Sequence, residues 1–215
     1  MTRYMMKDLI IVGASGLGRE VLQWIKDINR AIPTWNVLGF IDDKLDALQG
    51  IECDQRVIGT IKDWHPQSNE HFVMAIAKPE WKMAISQQME QKEARFVSII
   101  HPTALISDFT SIGKGIVVYP YAKINTNSKV GDFVTLLGST IGHDAEVGDY
   151  TTICGTCNIN GHAIIGNNVF IGSHAVVAPG KKVGDNAYIG NGSVVISNVR
   201  TGYTVFGNPA KKISL

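Results

Sequence analysis

Residues 141–165 read IGHDAEVGDYTTICGTCNINGHAII, and an isoleucine or valine returns in this stretch at every sixth position. The period then continues unbroken toward the C-terminus, through Ile141, Val147, Ile153, Ile159, Ile165, Ile171, Val177, Val183, Ile189 and Val195. Glycine often follows the aliphatic residue directly, and a small or β-branched residue usually stands four positions after it. This period fits neither an α-helix nor a long amphipathic strand, so it indicates a solenoid of short strands.

The solenoid should extend upstream as well, because the period also holds at Ile106, Ile112, Val118, Ile124, Val130 and Leu136. Three such hexapeptides close one triangular coil, and each inward aliphatic residue stacks on its counterpart about 4.8 Å away in the next coil. The step from Leu136 to Ile141 is one residue short, and Lys181 interrupts the series of small residues. The repeated glycines are expected to form the tight corners, often at positive φ.

Residues 1–100 lack this period and are predicted to form a separate α/β domain, with the solenoid domain over residues 101–215. Apolar runs and amphipathic stretches alternate there, which is typical of a small parallel sheet. Strands are predicted at Leu9–Val12, Val37–Ile41, His71–Ala77 and Phe96–Ile100, and helices at Arg19–Asn29 and Trp81–Lys92.

A glycine-rich turn follows the first predicted strand, with the spacing G-x-x-G-x-G rather than the dinucleotide fingerprint G-x-G-x-x-G. Such a turn at the start of a helix can still bind a phosphate on exposed N–H groups, here at Gly13, Ser15 and Gly16. Asp42 and Asp43 end the second strand, where a carboxylate can accept hydrogen bonds from a ribose or a base. The alternative is a tight turn beside two solvated acids.

Composition excludes several classes of function. The net charge is +1 and no dense basic run occurs, which argues against nucleic acid or an anionic membrane as the partner. The run Leu9–Val12 is too short for a signal peptide or a membrane span, so a cytoplasmic protein is expected. Cys154 and Cys157 form a CxxC, but one takes a corner position and the other an inward position, which predicts no metal pair.

Five motifs occur in order along the chain: Gly13-Ala-Ser-Gly16, Phe40-Ile-Asp42-Asp43, Ile100-His-Pro102-Thr-Ala104, Ile141-Gly-His143-Asp144 and Gly207-Asn-Pro209-Ala210. Together with the hexapeptides, they resemble the sugar O-/N-acyltransferases of the sialic acid O-acetyltransferase type, which include N-acetyltransferases of nucleotide-linked 4-amino sugars. The resemblance covers nearly the whole chain. It implies a Rossmann-like N-terminal domain that holds the nucleotide, a left-handed parallel β-helix, and a homotrimer that binds acetyl-CoA between adjacent β-helices.

The resemblance also implies roles for individual residues. His143 matches the catalytic histidine of the family, and a neutral imidazole suits a base that deprotonates an attacking amine or hydroxyl. Asp144 matches the acidic residue that can fix the tautomer of the histidine. The N–H of Gly161, one coil later, is expected to stabilise the oxyanion. His162 should line the same groove, whereas His174 falls at a different corner.

The remaining expected contacts belong to the two substrates. Amides around Gly172, Ser173, Ala178 and Gly190 are expected to meet the pantetheine arm, and Lys211 with neighbouring lysines to bind CoA phosphates. Leu17 stands where many relatives carry His, and Lys78-Pro79 where many carry Gly-Asn. Both positions touch the nucleotide sugar in those relatives, so Leu17 and Lys78 are predicted acceptor contacts.

The sequence therefore predicts an acetyl-CoA-dependent acetyltransferase without a metal, acting on the amine of a nucleotide-linked sugar. O-acetylation of a sugar or sialic acid remains an alternative, as does a non-catalytic hexapeptide-repeat binding protein. A γ-type carbonic anhydrase would need three histidines that converge on zinc, whereas only His143 and His162 share a corner.

Overall fold

The computed structural model describes residues 6–213, which form a small α/β unit followed by a triangular β-solenoid. The α/β unit contains β1 (Lys7–Val12), α1 (Gly16–Ala31), β2 (Trp35–Ile41), β3 (Val57–Gly59), β4 (Glu70–Met74) and α2 (Pro79–Gln91). Its four strands are parallel in the order β3-β2-β1-β4. The central run Leu9–Val12 is fully buried, because hydrophobic clusters cover both faces of the sheet.

Two details of the predicted sheet are wrong. The observed sheet contains the short β3 as its fourth strand, and the sequence pattern did not predict this strand. Phe96 makes only an isolated bridge to Phe72, and Ile99–Ile100 instead begins a sheet of the solenoid. The apolar run Phe96–Ile100 is therefore divided between the two units, which an apolar pattern alone cannot reveal.

The solenoid has three parallel faces built almost entirely from two-residue strands. The first face contains β5 (Ile99–Ile100), β8 (Val117–Val118), β11 (Thr135–Leu136), β14 (Thr152–Ile153), β17 (Phe170–Ile171), β20 (Tyr188–Ile189), β22 (Thr204–Phe206) and an antiparallel β23 (Lys211–Lys212). The second contains β6 (Leu105–Ile106), β9 (Lys123–Ile124), β12 (Thr140–Ile141), β15 (Asn158–Ile159), β18 (Val176–Val177) and β21 (Val194–Val195). The third contains β7 (Ser111–Ile112), β10 (Lys129–Val130), β13 (Glu146–Val147), β16 (Ile164–Ile165) and β19 (Lys182–Val183).

The periodic aliphatic residues form the solenoid core, as predicted. Ile141, Ile159 and Val177 pair in register along one face and are at most 1% exposed. The shortened step is confirmed, because Ile141 also pairs with Ile124, only seventeen positions earlier. The corner in between is made by Gly138 at φ +62°.

The repeated glycines do not form the corners, contrary to the sequence expectation. Positive φ falls mainly on other residues, such as Asp144, His162 and His174. The glycines are instead required where adjacent coils touch: a Cβ on Gly142 would lie 2.6 Å from the nitrogen of Gly161. A side chain there would force the coils apart, so these glycines serve close packing rather than turning.

The α/β unit packs against the first face of the solenoid. The ring centroids of Trp24 in α1 and Tyr119 in the solenoid lie 4.0 Å apart. On the other side of the sheet, Phe133 and Tyr150 stack at 5.5 Å and join the hydrophobic cluster around Phe72. Within residues 6–213, no helix has the length and apolarity needed to cross a membrane.

Candidate active site

One corner of the solenoid gathers polar side chains from successive coils, and we call it the His143 corner. It stacks Thr126–Asn127, His143–Asp144, Gly161–His162 and Pro179–Gly180. In the last three pairs, the second residue donates its N–H to the first residue of the pair before: Asp144 N to Thr126 O at 3.1 Å, His162 N to His143 O at 3.0 Å and Gly180 N to Gly161 O at 3.0 Å. The regular stacking therefore lines up residues about one coil apart in sequence.

His143 and Asp144 form a hydrogen-bonded pair although they are adjacent in sequence. The distance from Nδ1 of His143 to Oδ2 of Asp144 is 2.7 Å. Asp144 adopts φ +57°, which turns its side chain toward its neighbour instead of away from it. The hydrogen bond with His143, aided by the nearby His162, holds the pKa of the Asp144 carboxyl below its usual range.

The pairing occupies Nδ1 of His143, whereas Nε2 makes no hydrogen bond within residues 6–213, and the side chain is 57% exposed. His162 stands over the same carboxylate, with Nε2 3.9 Å from Oδ2 of Asp144 and its ring centroid 5.2 Å from that of His143. The three ligand atoms lie within 4.8 Å of one another, close enough in principle for one metal ion. The corner offers two histidines, not the three that a carbonic anhydrase site needs.

Gly161 lies directly beneath the His143 ring. A Cβ at Gly161 would lie 2.6 Å from both Cε1 and Nε2 of His143, too close for any side chain. The imidazole can therefore occupy this place only because residue 161 is glycine. The backbone N–H of Gly161 makes no hydrogen bond within residues 6–213 and remains available as a donor.

A cavity of about 290 Å³ opens beside His143 on the second face of the solenoid. Its polar walls include Asn125, Thr140 and Asn158, and Pro179 forms one end. No sequence motif marks these residues, although counting one coil forward and back from His143 leads to this neighbourhood.

The expected CoA contacts are only partly supported. The N–H groups of Gly172, Ala178 and Gly190 donate to the carbonyls of the next coil, so these three N–H groups are not free to donate to a pantetheine arm. Coil stacking uses the amide donors along the strands, so any contact of these residues with CoA would be made through other atoms. Ser173 lies at the corner of His174, and Lys211 is exposed in β23.

The second set of candidate residues lies at the carboxyl edge of the parallel sheet. Gly13 adopts φ +100° and packs against the Ala75 carbonyl, and α1 begins at Gly16. Ser15 is the N-cap residue, but its side chain makes no capping hydrogen bond. The first N–H groups of α1 are thus left to bind another acceptor.

Two candidate residues at this edge, Asp42 and Asp43, already make hydrogen bonds within the fold. Oδ2 of Asp42 accepts a hydrogen bond from Ala14 N at 2.8 Å, and Oδ1 of Asp43 accepts one from Lys62 N at 3.0 Å. Both carboxylates thus hold loops in place, whatever else they bind.

Leu17 is only 9% exposed and its side chain packs in the α1 cluster, so any acceptor contact at this position would come from its backbone. A leucine in the first turn of an amphipathic helix is drawn into the core. Lys78 is exposed, and its Nζ lies 3.0 Å from Glu80 Oε1 and 4.5 Å from the Trp81 ring centroid. Cys157 is buried, as expected from the repeat register, and Cys154 is half-buried. Cys154 directly follows Ile153, and its N–H donates to the Ile171 carbonyl of the next coil, so it does not take the predicted corner position.

Comparison with known proteins gives the same picture of both units. The PglD N-terminal domain family matches residues 8–89, and the bacterial transferase hexapeptide family (six repeats) matches residues 162–200. The chain is 32% identical to the GDP-perosamine N-acetyltransferase of Escherichia coli O157:H7, over 94% of this chain and 95% of that protein.

Solved structures agree with the architecture. The acetyltransferase domain of PglB from Neisseria gonorrhoeae FA1090, in complex with acetyl coenzyme A, superposes with a TM-score of 0.87 at 26% identity, covering 97% of this chain and 100% of that one. PerB from Caulobacter crescentus, in complex with CoA and GDP-perosamine, has the same fold at 22% identity, with a TM-score of 0.86 and coverage of 98% and 99%. The chain therefore belongs to the sugar O-/N-acyltransferases of the hexapeptide-repeat class, acetyl-CoA-dependent enzymes built on a left-handed β-helix.

Proposed function

We propose that this protein transfers the acetyl group of acetyl-CoA to the amine of a nucleotide-linked amino sugar. The observation that carries the proposal is the His143–Asp144 pair at 2.7 Å, stacked on Gly161. Support for the substrate class comes from the Escherichia coli relative, which is a GDP-perosamine N-acetyltransferase at 32% identity.

His143 acts as the general base through Nε2, because Nδ1 is occupied by Asp144. The sugar amine attacks the thioester carbon and passes a proton to Nε2 as the C–N bond forms. Asp144 is ionised and stabilises the imidazolium. Collapse of the tetrahedral intermediate breaks the C–S bond, and the proton on His143 moves to the departing thiolate, giving CoA and the amide.

The N–H of Gly161 stabilises the oxyanion in this scheme. Because the Gly161 N–H has no other hydrogen-bond partner within residues 6–213, it can donate to the oxygen that becomes negatively charged in the transition state. His162 lines the acetyl-CoA side of the groove and adds a second polar wall above Asp144.

The edge of the α/β unit holds the acceptor. The N–H groups at the start of α1, near Ser15 and Gly16, receive a phosphate of the nucleotide. Asp42 and Asp43 keep the surrounding loops in shape and offer their remaining lone pairs to the ribose or base, while Lys78 lies at the rim. The protein works as a homotrimer in the cytoplasm, and acetyl-CoA lies between adjacent β-helices.

Acceptor-dependent CoA release tests the proposal. Purified protein with acetyl-CoA is offered nucleotide-linked amino sugars, the matching hydroxyl sugars and sialic acids. Release with amino sugars alone is expected. Release only with hydroxyl acceptors would replace N-transfer by O-transfer, and acetyl-CoA binding without release from any acceptor would favour a binding protein. Sedimentation should give three chains per particle, and a stable monomer would contradict the intersubunit groove.

A further inference from the structure

A lysine lies where a hydrophobic residue is expected, between the α/β unit and the solenoid. Helix α2 buries Lys82, Ser86 and Met89 against the rest of the protein, and the Lys82 side chain is 0% exposed. Lysine is almost never fully buried unless a partner compensates its charge. The position therefore calls for an explanation beyond packing.

Within residues 6–213, the three hydrogen-bond partners of the Lys82 ammonium are neutral oxygens of the solenoid. Nζ donates to Thr152 Oγ1 at 2.8 Å, to Thr135 Oγ1 at 3.0 Å and to the Thr151 carbonyl at 3.3 Å. Thr135 and Thr152 face each other on adjacent coils. An ammonium has three N–H donors, so the protonated side chain is fully satisfied here.

The network continues from the solenoid to the loop after β4. Thr152 Oγ1 accepts from Lys82 and donates to the Ala77 carbonyl at 2.6 Å. The same loop packs on the glycine turn, since a Cβ at Gly13 would lie 3.0 Å from the Ala75 carbonyl oxygen. Lys82 thus connects α2, the solenoid and the loop that supports the edge where the acceptor is proposed to bind.

We infer that Lys82 is a positioning residue for the acceptor, which fixes the loop of residues 75–78 against the solenoid through Thr152. The inference rests on the proposed function for the identity of the bound molecule, but not for the contacts themselves. Lys82 does not touch the acceptor, because it is buried behind the loop.

The protonation state of Lys82 should affect how firmly the loop of residues 75–78 is held against the solenoid near neutral pH. Burial lowers the pKa of Lys82 to about 7. The titratable group that faces it from the solenoid is the Cys154 thiol, whose pKa burial raises to about 11, so it stays neutral. Lys78 and Glu80, near the start of α2, are exposed and pair with each other. Deprotonation of Lys82 leaves two N–H donors for three acceptor oxygens. The hydrogen bonds that hold the loop of residues 75–78 against the solenoid therefore weaken as pH rises through about 7.

Kinetics of Lys82→Met test the inference, with Ser86→Ala on the same buried face of α2 as the matched control. At pH 6, the acceptor KM of Lys82→Met should rise about fivefold to tenfold, the effect of losing one hydrogen bond between neutral groups, here Thr152 Oγ1 to the Ala77 carbonyl. The KM for acetyl-CoA should not change. Between pH 6 and 9, the wild-type and Ser86→Ala acceptor KM should rise toward the Lys82→Met value, so that the difference closes above pH 7. Identical acceptor KM values and pH profiles in wild type and Lys82→Met would overturn the inference.

Hydrogen–deuterium exchange separates this inference from the proposed function, because it needs no acceptor. Amides of residues 75–78 should exchange faster in Lys82→Met than in wild type at pH 6, after correction for intrinsic rates. If Lys82→Met does not fold, Thr152→Val keeps the lysine but removes the link to the Ala77 carbonyl, and should give the same faster exchange. Equal exchange rates of residues 75–78 in wild type and the folded variant would refute the inference, even if the protein acetylates amino sugars as proposed.

Discussion

The His143 corner and the edge of the α/β sheet use polar residues in opposite ways. At the corner, His143, Asp144 and His162 are exposed and interact chiefly with one another, while the coil below is held by backbone hydrogen bonds. At the sheet edge, Asp42 and Asp43 each bind a backbone N–H of a neighbouring loop. A solenoid corner can present side chains freely because strand pairing carries its stability, whereas an irregular edge needs its polar residues for its own shape.

His143→Ala, with His174→Ala as its matched control, should have the largest effect of the variants at the two regions. Both histidines are exposed corner residues of the same solenoid. Loss of the base should lower kcat about 10²-fold to 10⁴-fold while acetyl-CoA binding is kept, and His174→Ala should stay near wild type. Steady-state CoA release and calorimetric titration with acetyl-CoA measure the two quantities. Near-normal turnover of His143→Ala would remove the assigned base.

Gly161→Ala asks whether the corner depends on close approach between coils. The added Cβ would lie 2.6 Å from Nε2 of His143 and must displace the ring. A displacement near 1 Å should lower kcat about tenfold to a hundredfold. Gly155→Ala is the matched control, since its Cβ would meet its nearest atom, the Leu137 carbonyl oxygen, at 3.6 Å. Equal rates for the two variants would show that the His143 ring has room to move without loss.

Asp42→Ala tests the sheet edge and should have the smallest effect of the three. The substitution leaves the Ala14 N–H without its acceptor and loosens the glycine turn. The acceptor KM should rise about threefold to tenfold, with the KM for acetyl-CoA unchanged. Asp46→Ala, in the exposed loop that follows, is the control. A larger rise for acetyl-CoA than for the acceptor would move the acceptor away from this edge.

The two regions also differ in how well the sequence predicts them. In the solenoid, six-residue counting places His143, Gly161 and His162 at one corner, because each coil repeats the last. In the α/β unit, the apolar pattern predicts one strand over Phe96–Ile100, although the residues of this run pair with two different units. Local patterns cannot tell which neighbour a short apolar run will pair with.

The coil architecture, the inward aliphatic residues and the family can be predicted from the chain's period and the order of its motifs. Which donors and acceptors are already used depends on the folded structure. In the folded chain, the N–H groups of Gly172, Ala178 and Gly190 already donate to the next coil. Asp144 turns toward His143, and Lys82 lies among three solenoid oxygens. The physical reason is that a hydrogen bond depends on the position of both partners, and for residues distant in sequence those positions exist only in the folded chain.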